Sequence, residues 1–114
     1  MKPTDITSHN KACEVLGKDP KVSANIHDQL DDIADAINKV DNEFKADFEN
    51  TDQPKWRPYF IMDRAGVRFG NSGYGRSHSD ATVGSRLCQR FRTEEISDFF
   101  GKQFESMHIK SFNS

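Results

Sequence analysis

The chain is short of cysteine, of apolar residues and of any long hydrophobic run. Its 114 residues include two cysteines, Cys13 and Cys88, too few for a disulfide scaffold. Neither lies in a Cys-x-x-Cys, and read along the chain neither pairs with a histidine as a ligand set. No metal, cofactor or redox role is therefore expected, and both thiols read as buried or indifferent. Apolar residues make up 34%, against a usual figure of about 45–50% that also counts glycine, so the core must be small. No stretch approaches the roughly 18 apolar residues of a spanning helix, and Met1-Lys2-Pro3-Thr4-Asp5 lacks the apolar segment of a secretory signal. The expectation is a protein without a membrane contact, intracellular in a host cytoplasm or virion-associated, and not secreted by a signal peptide. A length of this order fits a single domain over 1–114.

Charge is what the sequence has in quantity, and it is unevenly placed. Residues 1–52 carry six lysines and twelve acidic side chains, whereas residues 53–114 carry ten basic and six acidic ones. All seven arginines fall between Arg57 and Arg92, a window shared with only Asp63 and Asp80 on the acidic side.

Local signals divide the chain into four parts. An N-terminal helical arm over 1–20 contains a helix from Thr7 to Leu16, with Thr7 or Ser8 as N-cap, Gly17 as stop and Pro20 barring continuation. Ile26, Leu30, Ile33, Ile37, Val40 and Phe44 then recur at spacings of four and three, and Phe48 adds a turn. This predicts a long amphipathic helix over 23–49, capped by Ser23 or Asn25, with an acidic outer face. The 26–44 stripe could also serve as a homodimer seam.

A basic β region follows over 55–92. Trp56 to Met62 reads as a strand, with Pro58 at an edge or bend. Asp63-Arg64-Ala65-Gly66 reads as a turn, and Val67 and Phe69 as a second strand. The glycine-, serine- and threonine-rich stretch 70–84 reads as a long loop, and Val83 to Phe91 as a third strand. Thr93 caps a C-terminal helix over 93–110, where Ile96, Phe99, Phe100, Phe104 and Met107 make one face. The fold class is thus expected to be α+β, in the order α-α-β-β-β-α, with a small antiparallel three-stranded sheet packed on helices. Core candidates are Leu16, Ile26, Leu30, Ile33, Ile37, Val40, Phe60, Met62, Val67, Phe69, Leu87, Phe99, Phe100 and Phe104.

No constellation supports catalysis. Gly70 to Ser77 fits neither a Walker loop nor a dinucleotide fingerprint. Ser77-His78-Ser79-Asp80 are near neighbours in a loop rather than a convergent triad, and Asp31-Asp32-Asp35 lack the spacing of a calcium loop. The remaining histidines, His9, His27 and His108, stand singly. The chain is expected not to be an enzyme. What remains is the interleaving of arginines with aromatics, the combination that neutralises phosphates and stacks on bases. Nucleic-acid binding is accordingly the first functional expectation, through Arg57, Arg64, Arg68, Arg76, Arg86, Arg90 and Arg92 with Trp56, Tyr59 and Tyr74. The alternative is a protein-protein interaction module that modulates a host or phage factor.

Two stretches carry a family resemblance. Ile6-Thr7-Ser8 through Ala12-Cys13-Glu14-Val15-Leu16-Gly17-Lys18-Asp19-Pro20 is one. Val83-Gly84-Ser85-Arg86-Leu87-Cys88, followed by Glu94-Glu95-Ile96 and Phe100-Gly101-Lys102-Gln103-Phe104, is the other. Together they resemble a group of small uncharacterised proteins of phages, prophages and mobile elements of gut Bacteroidetes, over most of the length. The resemblance implies a phage-type setting and a binding role, and no catalytic residue. Gln89 departs from it, standing where an aromatic residue is common.

Overall fold

The computed structural model describes residues 1–75 and 89–113, with Tyr74 and Gly75 described by their backbone alone. After a 3-10 turn at Pro3–Asp5, helix α1 runs from His9 to Leu16. Ser8 Oγ accepts the Lys11 amide at 3.1 Å, and Gly17 closes the helix at φ 68°, the left-handed conformation that favours glycine. A second 3-10 turn, Pro20–Val22, leads to α2, Ile26–Val40, where Asn25 Oδ1 accepts the Asp28 amide at 2.9 Å.

Helix α2 is shorter than its apolar stripe, which corrects the expected span of 23–49. Asn42 and Glu43 adopt positive φ, and the Phe44 amide turns back to the carbonyls of Asn38 and Asp41. Asn42 can enter the left-handed region, which a right-handed helix cannot contain, and Glu43 follows it there, so Phe44 and Phe48 lie beyond the helix.

Strands β1, Lys55–Asp63, and β2, Gly66–Gly75, form an antiparallel hairpin. Asp63 Oδ1 accepts the Ala65 amide at 2.9 Å across the turn, and Gly66 supplies φ 116°. The register shifts between Tyr59 and Phe60, and the Phe69 amide is taken by Glu105 Oε2 at 2.8 Å. One expectation is corrected here: Gly70–Gly75 belong to a strand rather than to the start of a loop, and the sheet of the described residues has two strands. Of the third strand expected over Val83–Phe91, residues 83–88 lie outside the described residues. Among the described residues, Phe91 makes an isolated antiparallel bridge to Trp56.

The C-terminal helix is two helices, α3 from Glu94 to Gln103 and α4 from Glu105 to Ser111, broken at Phe104 with φ −110° and ψ 26°. Thr93 Oγ1 accepts the Ile96 amide at 3.3 Å, as its position before two glutamates predicts. The class is α+β, with four α-helices among the described residues. Helix α1 packs on α2, α3 on both strands, and α4 on α2 and β2. Between them lies a small core of Ile6, Leu30, Ile33, Ile37, Phe91, Phe100 and Phe104, closed by alanines at 12, 34 and 36.

Leu30, Ile33 and Ile37 therefore face the chain's own interior, while Ile26, Val40 and Phe44 of the same stripe are half-buried. Met62, expected in the core, is 59% exposed. Leu87 lies outside the described residues. Gly101 matters to the packing of α3. A Cβ there would stand 2.4 Å from the Phe69 ring and 2.9 Å from Pro58, so the missing side chain lets α3 sit down on the hairpin.

Candidate functional site

The basic residues of the β region do not form one exposed patch among the described residues. Arg57 is 8% exposed and lies over the Tyr59 ring, 4.5 Å from its centroid. Arg90 is 1% exposed and lies over Phe48, as does Lys55, whose Nζ also donates to the Asn50 and Gln53 carbonyls at 2.9 Å. Arg92 grips the buried Asp41 carboxylate in bidentate fashion, with Nη2 to Oδ1 at 2.8 Å and Nε to Oδ2 at 3.0 Å. Arg68 grips Asp63 through two 3.0 Å bonds on the surface. Arg64 is exposed at the hairpin turn. Trp56 is half-buried, its backbone exchanging hydrogen bonds with Phe91. Arg76 and Arg86 lie outside the described residues, and so does the side chain of Tyr74.

Beside these charges the hairpin exposes apolar side chains. Tyr59, Ile61 and Met62 are exposed on β1, and Phe112 is 46% exposed just past α4. Tyr59, Met62 and Phe112 border a cavity of about 450 Å³ that reaches Leu30, Pro58 and His108. His108 is held between Phe60, 4.7 Å away centroid to centroid, and Phe100, at 4.6 Å and edge to face. Burial pushes its imidazole down to about 4, despite a hydrogen bond to the Phe100 carbonyl that favours the charged form. Its Nε2 is buried without a hydrogen-bond partner among the described residues.

A second cluster joins α1 to α2. His9 Nε2 lies 2.9 Å from Asp32 Oδ2 and 3.3 Å from Cys13 Sγ, and the thiol is 4.0 Å from the same carboxylate oxygen. Lys18 Nζ holds the other oxygen, Asp32 Oδ1, at 2.7 Å. Burial raises the Asp32 carboxyl, but hydrogen bonds from Lys18, Ser23 and His9 outweigh it and hold the group below its ordinary value. Burial, and then the Asp32 charge, pushes the Cys13 thiol up. This is not the relay of a nucleophilic triad, in which the base faces thiol and carboxylate with different ring nitrogens. Here a single nitrogen faces both. The three donor atoms converge as metal ligands do.

No family model, curated protein or solved structure matches this chain. The site must therefore be read from its own residues.

The expectation that neither cysteine has a histidine at ligand spacing is corrected by α1. His9 and Cys13 stand four residues apart in the sequence, and a helix makes that spacing one face. This signal was legible. Asp32, which completes the group from another helix, carried none. Of the apolar surface at Tyr59, Ile61 and Met62, the sequence offered Tyr59 as a contact residue, whereas Met62 was hidden by the strand's resemblance to a core strand.

Proposed function

We propose that the chain is a non-enzymatic binding module whose partner is a protein with an apolar contact face, engaged at Tyr59, Met62 and Phe112. The observation that carries this reading is the exposure of these three side chains around one cavity. Water-facing apolar surface gathered at a concave site favours association over solvation. The engagement of Arg57, Arg68, Arg90 and Arg92 within the fold supports it further, because guanidinium groups already stacked or paired with carboxylates are poor phosphate ligands. On the motif resemblance to phage-type proteins, that partner would be a phage or host factor.

The test places a photo-crosslinking residue at position 62, with position 22 as control because Val22 is also exposed but stands apart from the cavity. One discrete protein adduct is expected from 62, absent from 22 and lost in a Tyr59→Asp/Phe112→Asp variant that retains its fold. Fluorescent single- and double-stranded oligonucleotides are titrated over a salt series in parallel. Tight binding that weakens steeply with salt would overturn the reading in favour of nucleic acid. A crosslinked homodimer, checked by light scattering, would overturn it in favour of self-association.

A further inference from the structure

We propose that His9, Cys13 and Asp32 form a binding site for a zinc-class divalent transition metal that pins α1 to α2. The inference is independent of the protein-contact reading. Tetrahedral zinc, with bonds of about 2.3 Å to sulfur and about 2.0–2.2 Å to nitrogen and oxygen, separates its donors by about 3.4–3.6 Å. The three donor separations here are 2.9, 3.3 and 4.0 Å. The triangle thus needs its nitrogen-oxygen edge opened and its sulfur-oxygen edge closed, each by about half an ångström, to become one face of that tetrahedron.

The donor chemistry chooses the metal. A thiolate beside an imidazole excludes calcium and magnesium, which take oxygen ligands, and suits zinc or cobalt(II). The surroundings also fit. Lys18 occupies Oδ1 and so leaves Oδ2 as a single, fixed ligand atom, the kind of outer contact that orients a metal-bound carboxylate. Cys13 and Asp32 are buried and His9 is half-buried, and water would take the fourth position of the tetrahedron. On loading, the Cys13 S–H bond is exchanged for a sulfur-metal bond and its proton leaves to water.

The experiment adds cobalt(II) and, separately, zinc(II) to the full chain. Expected are a thiolate-to-cobalt charge-transfer band saturating at one metal per chain, its displacement by zinc, and a rise in melting temperature with either metal. Cys13→Ser should abolish the band, His9→Gln should weaken cobalt binding by about tenfold or more, and Cys88→Ser should leave both unchanged. Melting each variant without metal separates loss of ligand from loss of fold, and His9→Gln serves if Cys13→Ser does not fold. Absence of a thiolate band in the wild type, or a band that survives Cys13→Ser and disappears in Cys88→Ser, would overturn the proposal.

Discussion

Acidification below about pH 6.5 should weaken this fold, and the buried His108 is the reason. The folded chain keeps the imidazole neutral down to about pH 4, whereas the unfolded chain protonates it near 6.5. The contribution is therefore complete above pH 6.5, is lost progressively as pH falls towards 4, and does not change further below that. Each unit of difference is worth about 1.4 kcal/mol, so the full loss is about 3 kcal/mol and about 2 kcal/mol of it is gone by pH 5. That is a substantial part of the roughly 5–15 kcal/mol that stabilises a domain. Asp63, held below its ordinary value by Arg68, titrates beneath this window. Urea unfolding at pH 7.5, 6.5, 5.8 and 5.0 measures the slope, and His108→Phe, which keeps a ring between Phe60 and Phe100, should flatten it. The other histidines remain in the variant, so the difference between the two slopes belongs to His108. Equal slopes in the two proteins would refute the reasoning, whatever their stability at neutral pH.

Two further substitutions probe the packing. Arg92→Met leaves the buried Asp41 carboxylate without its bidentate partner and should lower stability by about 1.5–3 kcal/mol in urea unfolding; pairing it with Asp41→Asn should recover part of the loss. Gly101→Ala gains helix propensity of about 1 kcal/mol but drives a methyl group into Phe69 and Pro58. Overpacking of about 1–3 kcal/mol should win, and a melting temperature below wild type checks it.

The parts of the fold that could be read from the sequence are those with local causes. Ser8, Gly17, Asn25 and Thr93 cap their helices because cap chemistry acts within three or four residues. The Asp63–Gly66 turn was legible for the same reason. The errors arise where a distant contact decides. Gly70 and Gly73 read as loop formers, yet they lie in β2 because the Ile61 and Tyr59 side chains cover them. A Cβ would meet Ile61 at 2.8 Å and Tyr59 at 2.1 Å. The apolar spacing that runs on to Phe44 could not reveal that α2 stops at Val40. Nor could composition show that Phe48 takes Lys55 and Arg90 from the surface. At the metal-ligand cluster, the His9–Cys13 half is written in a spacing of four. The Asp32 half exists only once α1 docks on α2.

The hairpin is buried at one end and exposed at the other, since Lys55, Arg57 and Pro58 are covered while Ile61 to Gly66 face water. Two strands alone are marginally stable, so the outer end has little but its own ladder to hold it. Its amides should exchange with solvent through small local openings, while those near Lys55 and Trp56 wait for the whole domain to unfold. A partner seated at Met62 would then be felt first as slowed exchange at the tip of the hairpin, well away from the core that sets the melting temperature.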